Sequence, residues 1–241
     1  MRLGLRLVLL ALLIGAAAGF FFPEVVGFRL TNSELRLATK RVLDWTRLSN
    51  PDTRWSSQSQ RRLERGGPRL QELLAEYDST LIRWAAGDTL RVWIQRSGLV
   101  GGDARNIQLA EAALRDWIGI GMPLVLQRVD VVDSSNVRIR WVERLPDRRL
   151  GVTHVVFNDV LGMESAELRI ALRDHRGHAV DADQLAAVLL HEAGHLLGLG
   201  HTADETSIMH PSSTAPRLSL SDRETVLLLY ALPLGRVTVD H

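Results

Sequence analysis

Hydrophobic positions in residues 84–241 recur with two spacings, every second residue in some stretches and every third or fourth in others. The first spacing predicts strands, at residues 90–95, 123–132, 137–142, 152–157 and 167–172. Within 137–142, Val137, Ile139 and Trp141 alternate with arginines and are expected to face the core. The second spacing predicts helices over 104–118 and 183–197, and a last helix that begins at Ser221, where Ser221-Asp-Arg-Glu224 has the pattern of a capping box. This order predicts an α+β domain with a mixed sheet, which we place at residues 83–241.

The first 28 residues follow a different pattern. Two arginines precede residues 7–22, which carry no charge, and the apolar run continues past Pro23 and Glu24 to Phe28. A basic start before such a run is typical of a secretory signal peptide or of an uncleaved transmembrane anchor, since roughly 20 helical residues cross a bilayer. The alanines at 16–18 offer a cleavage site. Either alternative predicts an exported protein, secreted or anchored to the membrane and facing outside the cytoplasm.

Residues 29–82 are predicted to connect this segment to the main domain. Residues 29–69 hold ten Lys or Arg and four acidic residues, with turn-forming residues at 49–52 and 66–68. Leucines at helical spacing predict a helix from Pro68 to about Ile82. We interpret the region as a basic, partly helical linker or stalk, with a propeptide as the alternative.

The amino-acid composition excludes several classes of protein and several kinds of site. A content of 46% hydrophobic and 24% charged residues excludes a disordered chain, and a net charge of +1 gives no reason to expect a nucleic-acid partner. The chain has no cysteine, which excludes disulfides, thiolate metal ligands and a cysteine nucleophile. The absence of cysteine, the preference for arginine over lysine and the export segment fit a bacterial origin.

The candidate chemistry lies in the stretch His191-Glu192-Ala-Gly-His195-Leu-Leu-Gly198-Leu-Gly-His201. His191 and His195 are four residues apart, so on a helix they share a face and can bind one metal ion. Glu192 is offset by about 100° of helical turn, which places its carboxylate beside the ion, where a base for a metal-activated water belongs. Gly198 allows the chain to turn back so that His201 supplies a third nitrogen. Three protein ligands leave a fourth position for water, the arrangement of a hydrolytic zinc site.

This eleven-residue signature resembles that of the metzincin metallopeptidases, and the residues after it resemble the matrixin branch. The stretch Ser207-Ile-Met209-His210-Pro211 is similar to the Met-turn of that family, and residues 219–230 are similar to the start of its closing helix. The resemblance implies a twisted, mixed five-stranded sheet with an active-site helix and a C-terminal helix. It also implies a floor of the zinc site formed by Met209.

Carried over residue by residue, the resemblance implies zinc ligands at His191, His195 and His201 and a general base at Glu192. His210 stands where matrixins usually have tyrosine, and together with Pro211 it would form the wall of the S1′ pocket. No tyrosine follows the Met-turn before Tyr230, so we expect three protein ligands and no fourth. A cysteine switch, as in vertebrate matrixins, cannot exist in this chain.

A second metal ion is not expected. His154, Asp174, His175 and His178 could form a structural zinc site like that of vertebrate matrixins, but their spacing is loose and arginines flank Asp174 and His175. We interpret these residues as exposed loop residues. The expected cofactor is one catalytic zinc ion, without a second zinc or a calcium ion.

Together these inferences predict a zinc metalloendopeptidase that hydrolyses peptide bonds of extracytoplasmic proteins, by attack of a zinc-activated water with Glu192 as general base. The expected partners are protein or peptide substrates, which could pair with an exposed edge strand at 152–157 or 167–172, and the membrane if residues 1–28 are not cleaved. Two alternatives stay open: a non-catalytic, zinc-stabilised module that binds peptides at the cell surface, and a metal-dependent hydrolase of a non-peptide bond. The sequence gives no prediction of oligomeric state.

Overall fold

The computed structural model describes residues 69, 72, 80–96, 104–158, 162–232 and 234–236, all within the compact unit Pro51–His241. The strands are β1 (Thr80–Leu81), β2 (Thr89–Ile94), β3 (Val125–Arg128), β4 (Val137–Val142), β5 (Gly151–Asn158), β6 (Gly162–Ala171) and β7 (Gly235–Arg236). The helices in these ranges are α1 (Ala104–Ile118), α2 (Ala182–Leu196) and α3 (Leu220–Ala231), and Arg69 and Glu72 are also helical.

Five strands form one mixed sheet in the order β3-β2-β4-β6-β5. The strands β3, β2, β4 and β6 run parallel, and β5 runs antiparallel to β6. The expected α+β fold with a five-stranded mixed sheet is therefore confirmed. Of the two strands considered as free edges, residues 152–157 lie in the edge strand β5, whereas 167–172 lie largely in β6, which is paired on both sides.

The hydrophobic core lies between the sheet and helices α1 and α2. Val137, Ile139 and Trp141 of β4 are buried, as the alternating pattern predicts, and the intervening arginines are partly exposed. Helix α2 buries eight of its fifteen residues, which marks it as a central rather than a surface helix. The buried Trp117 of α1 donates a hydrogen bond from Nε1 to the carbonyl of Leu190 at 2.8 Å, so α1 holds α2 in place by a polar contact as well as by packing.

The C-terminal end of α2 is held by two side chains from distant parts of the chain. Trp84 donates from Nε1 to the carbonyl of Leu196 at 2.8 Å, and the Tyr230 hydroxyl of α3 donates to the carbonyl of Leu197 at 3.2 Å. Carbonyls at a helix C-terminus have no partner within the helix, so these contacts satisfy groups that would otherwise be buried and unpaired. Gly198 follows with φ +98°, and a Cβ there would overlap the carbonyl of Ile82. The turn predicted at Gly198 is thus required by both its φ angle and its surroundings.

Several predicted elements differ from those observed, and β6 begins at Gly162, five residues before the strand predicted at 167–172. The strand expected over 123–132 is shortened to β3 (Val125–Arg128) and followed by a 3₁₀ turn at Val132–Ser134. The reason is local, because the hydroxyls of Ser134 and Ser135 each donate to the carbonyl three residues earlier and stabilise a turn. The helix expected to continue to Ile82 does not reach it, because Thr80–Leu81 form a strand that pairs with Gly235–Arg236.

The capping box of α3 is also displaced from its predicted position. The N-cap is Ser219, whose hydroxyl accepts from the Asp222 backbone N–H at 3.1 Å, and the Asp222 carboxylate accepts from the Ser219 backbone N–H at 2.9 Å. The prediction of Ser221 with Glu224 is therefore wrong, although the motif type is right. Asp222 takes the third position of the box because its carboxylate also binds residues preceding α3, described below.

Residues 1–28 and most of 29–82 lie outside the described residues, and the predictions made for them stay predictions. Among the helices of the described ranges, none has the length and apolar character needed to cross a bilayer.

Candidate active site

Three histidine rings converge at the C-terminal half of α2 and the turn that follows it. His191 and His195 lie on one face of the helix, and their Nε2 atoms are 3.1 Å apart. The chain turns back at Gly198 and brings the Nε2 atom of His201 to 3.3 Å from that of His191. Within the described residues, these rings form the one group of three or more His, Cys, Asp or Glu side chains close enough to share a metal ion.

Backbone carbonyls fix the orientation of two of these rings. His191 Nδ1 lies 2.7 Å from the carbonyl oxygen of Ile208, and His195 Nδ1 lies 2.7 Å from that of Leu199. A carbonyl only accepts, so each Nδ1 carries the proton and each Nε2 presents its lone pair to the centre of the cluster. Burial lowers the pKa of His195 to about 3, with a further contribution from neighbouring His191, and burial also lowers the pKa of His191. Both rings are therefore neutral at neutral pH, the form in which an imidazole can bind a metal ion.

The donor set fits a catalytic zinc ion. Two imidazole nitrogens bound to one tetrahedral zinc at about 2.0–2.1 Å lie roughly 3.3 Å apart. The spacings of 3.1 and 3.3 Å from His191 Nε2 are close to that value before any adjustment of the side chains. His201 is exposed to solvent. An ion held by the three nitrogens would therefore keep room on this side for water or substrate.

Glu192 follows His191 on α2, and its side chain packs against the edge strand β5. The residue is 5% exposed, and the Thr153 hydroxyl lies 2.6 Å from Glu192 Oε2. Gly151, two residues before Thr153, faces the same carboxylate, and a Cβ at this position would overlap it. Burial raises the pKa of Glu192 to about 7, although the Thr153 hydrogen bond and the charge of Arg149 act in the opposite direction. A carboxylate with this pKa can accept and release a proton near neutral pH.

The segment Ser207–Pro211 passes beneath the histidine cluster. Met209 is fully buried and its Sδ lies against Gly194 of α2, where a Cβ would overlap it. The carbonyl of Ile208 binds His191, and the carbonyl of Met209 accepts from the Thr202 N–H at 3.3 Å. The predicted floor residue is therefore packed against the helix that carries two of the histidines.

A fully buried carboxylate, Asp222 of α3, fixes this segment from behind. It accepts from the Ser207 hydroxyl, from the Ile208 N–H at 3.1 Å and from the Ser219 N–H and hydroxyl at 2.9 and 2.7 Å. Burial alone raises the pKa of Asp222, but the hydrogen bonds from Ser207, Ser219 and Ile208 outweigh it and bring the pKa below its usual value. The carboxylate is therefore ionised and bound at neutral pH.

Arg69 completes the environment of Asp222 from a distant part of the chain. Its Nη2 lies 3.1 Å from Asp222 Oδ1 and 2.9 Å from Ser207 Oγ, and its Nη1 lies 2.7 Å from Ser221 Oγ. The Arg69 side chain is 11% exposed and that of Asp222 is 0% exposed, so this ion pair is shielded from solvent. A residue from the region interpreted as a linker thus contacts the closing helix and the turn beneath the histidines.

The remaining predicted residues lie outside the histidine cluster. His210 follows Met209 and accepts from the Ser212 N–H through Nδ1 at 3.3 Å, and the neighbouring Pro211 is exposed, so their predicted place in a pocket wall stays a prediction. Asp174 accepts from the backbone N–H groups of Arg176 and His178 in a surface turn. His154 is exposed on β5 and joins no such group within the described ranges.

From the sequence, Gly151, Thr153 and Arg69 were not identified as parts of the site, and Ser207 was named only as part of the Met-turn. A glycine at the start of a strand can signal the close approach of another group, and that signal was present at Gly151. For Thr153 and Arg69 no local signal exists, because their partners lie 39 and 153 residues away.

The profile of the Matrixin family matches residues 52–231, about three quarters of the chain. The chain therefore belongs to the matrixin family, and the resemblance inferred from the histidine signature and the Met-turn is confirmed. It is also similar to metalloendoproteinase 1-MMP of Arabidopsis thaliana, with 33% identity over 142 residues that cover 53% of this chain and 38% of that protein. The chain thus spans well under half the length of this relative.

Proposed function

We propose that this chain is a zinc-dependent metalloendopeptidase that cleaves extracytoplasmic proteins. The observation that carries the proposal is the convergence of three imidazole Nε2 atoms, with spacings of 3.1 and 3.3 Å, next to the buried carboxylate of Glu192. Membership of the matrixin family supports the same activity.

The histidines and Glu192 have different roles in the proposed reaction. His191, His195 and His201 would hold the zinc ion, which when bound supplies Lewis-acid activation of water and of the scissile carbonyl. Glu192 accepts the proton of the attacking water and returns it to the departing amine, so the proton passes through one carboxylate. A pKa of about 7 for Glu192 suits both accepting the proton and releasing it at neutral pH.

The edge strand β5 supports an extended peptide as the substrate. It pairs with β6 on one side, and none of the described strands pairs with its other side. Val156 and Phe157 near its end are 57% and 41% exposed and are therefore open to contact from a partner. An extended substrate can pair with such an edge through its backbone, while its side chains contact the exposed residues.

The test is zinc content and cleavage of an unfolded protein, measured on the full chain and on Glu192→Gln. We expect about one zinc per chain in both proteins and a loss of kcat of about 10²–10⁴-fold in the variant. Glu224→Gln, on the exposed face of α3, is the matched control and should cleave at the wild-type rate.

Two results would contradict the proposal in different ways. Zinc-loaded wild-type protein that cleaves no unfolded substrate would favour the non-catalytic peptide-binding module. Undiminished cleavage by Glu192→Gln would show a peptidase whose base is another group.

We also propose that the apolar segment at residues 7–28 exports the chain, either as a signal peptide or as an anchor. Fractionation of expressing cells, with amino-terminal sequencing of the mature protein, tests this. Recovery of the intact chain from the cytoplasm alone would contradict export, and the new amino terminus would distinguish cleavage from anchoring.

A further inference from the structure

The edge strand β5 presents two residues of one face to the side chain of Glu192. Residues i and i+2 of a strand point to the same side, and Gly151 and Thr153 have this relation. Gly151 leaves the space that the carboxylate occupies, since a Cβ there would overlap Glu192 Oε1, Cδ and Cγ. Thr153 supplies a hydroxyl 2.6 Å from Glu192 Oε2. One strand therefore both makes room for the carboxylate and binds it.

The Thr153 hydroxyl contacts Glu192 at two points. Besides Oε2 at 2.6 Å, the backbone carbonyl oxygen of Glu192 lies 3.0 Å from Thr153 Oγ1. A hydroxyl next to both the backbone and the carboxylate of one residue fixes the carboxylate relative to the helix that carries it. Within the described part of the chain, Thr153 is the one residue that donates a hydrogen bond to this carboxylate.

Both oxygens of the Glu192 carboxylate contact β5. Oε2 is bound by Thr153, and Oε1 occupies the space left beside Gly151. With Glu192 only 5% exposed, water cannot replace a lost donor without rearrangement of the site. An unheld carboxylate on a three-bond side chain would sample several rotamers, of which few place an oxygen next to the reacting water.

We propose that Thr153 is a positioning residue for the general base. Its hydroxyl holds Oε2 of Glu192, so that the carboxylate keeps one orientation for the exchange of a proton with water and the leaving amine. The proposal rests on the peptidase function proposed above, and it adds a residue of the edge strand to those that determine the rate.

The first test compares Thr153→Val with Thr153→Ser in the zinc-loaded full chain. Valine keeps the β-branched shape that suits a strand but removes the hydroxyl, whereas serine keeps the hydroxyl. We expect kcat of Thr153→Val to fall about tenfold, the factor that corresponds to one hydrogen bond of about 1.4 kcal/mol, with KM and zinc content unchanged. Thr153→Ser should recover most of that loss. Thr89→Val on β2, outside the site, is the matched control.

A double variant separates positioning from a general structural effect. In a Glu192→Gln background no base remains to be positioned, so Thr153→Val should cause no further loss of kcat. A further tenfold loss in that background would overturn the proposal, and so would wild-type kcat in Thr153→Val.

Thermal unfolding of the metal-free proteins gives a readout that is independent of activity. Thr153→Val should lower Tm more than Thr153→Ser does in the wild-type background. The difference between the two variants should shrink in Glu192→Ala, where the acceptor carboxylate is gone. A wild-type chain that binds zinc but cleaves nothing would refute the peptidase, whereas equal Tm differences in both backgrounds would refute the Thr153–Glu192 contact itself.

Discussion

At Gly151 and Gly194, a single methyl group would displace a residue of the candidate site. A Cβ at Gly151 would overlap the Glu192 carboxylate, and one at Gly194 would overlap Met209 Sδ. The two consequences differ, because the atoms that Gly151→Ala would displace belong to the carboxylate proposed as the general base, whereas Met209 is a fully buried hydrophobic residue of the core. The first substitution should therefore affect the rate of reaction, and the second the stability of the fold.

We expect Gly151→Ala to lower kcat by about 100-fold with little change in zinc content or Tm. The displaced carboxylate loses its orientation, and a shift of about 1 Å in a reacting group can cost a factor of this size. Steady-state kinetics with metal analysis and a thermal scan test this. A kcat within twofold of wild type would mean that the Glu192 carboxylate keeps a productive orientation in Gly151→Ala.

We expect Gly194→Ala to destabilise the domain by about 1–2 kcal/mol, as measured by urea unfolding. Alanine in a helix gains about 0.5–1 kcal/mol over glycine, but overpacking of a buried site costs about 1–3 kcal/mol, so the steric effect prevails. Met209→Ala removes the overlapping sulfur, and the double variant should be more stable than the sum of the two single changes predicts. If the losses of stability in the two single variants simply add in the double variant, the steric strain of Gly194→Ala does not come from Met209.

At the scale of elements, α3 closes the domain by holding the segment beneath the histidines. The carboxylate of its capping box, Asp222, accepts hydrogen bonds from the N-cap residue Ser219 and also from the Ser207 hydroxyl and the Ile208 N–H. This residue of the capping box therefore also holds the segment containing Ile208, and the carbonyl of Ile208 orients the His191 ring. A change at Asp222 should therefore alter the orientation of His191.

We expect Asp222→Asn to lower the free energy of unfolding by about 3 kcal/mol at pH 5, since it breaks a shielded ion pair and leaves Arg69 without its carboxylate. The folded-state pKa of Asp222 lies below 3.8, so its contribution is fully present above that pH and is lost as the pH falls through the folded-state value. The difference between wild type and variant should therefore shrink between pH 5 and pH 2.5 in urea unfolding. The exposed Asp133→Asn serves as control. A difference that does not change with pH would contradict this role for Asp222.

The order of the elements and the three histidines could be predicted from sequence because both depend on local patterns. Val137, Ile139 and Trp141 alternate with arginines, and the period of two suffices to place them in the core. The capping box was predicted two residues too late, because Ser221-x-x-Glu224 also satisfies the local pattern and only the distant Ser207 and Ile208 favour Asp222. The contacts of Thr153 and Arg69 could not be predicted, since no pattern along the chain relates them to Glu192 or Asp222.

At the scale of the whole domain, Arg69 and β1, which precede β2 in the chain, contact residues near its C-terminal part. Arg69 binds Asp222, Ser207 and Ser221, and β1 pairs with β7, which follows α3 in the chain. The match to the matrixin family also begins at residue 52. A domain boundary near residue 83, as expected from sequence, would exclude these contacts.

We expect a fragment of residues 80–241 to unfold at a lower temperature than one of residues 51–241. Loss of Arg69 leaves the buried Asp222 carboxylate unpaired, which costs about 3–5 kcal/mol and for a domain of this size lowers Tm by roughly 10 °C. Arg69→Met in the longer fragment should reproduce most of the loss, which separates the effect of this side chain from that of chain length. Equal Tm values for the two fragments would show that residues 51–79 do not stabilise the domain.

The hydrogen bonds from His191 and His195 to the carbonyls of Ile208 and Leu199 have a consequence for metal uptake. Two of the three rings hold the tautomer that a metal requires, and the lowered pKa of both keeps a second proton away. Zinc therefore displaces no proton from these two rings, and acid competes weakly for their nitrogen lone pairs. A protein with this site would keep its metal in mildly acidic surroundings, where a site of fully exposed histidines would lose it.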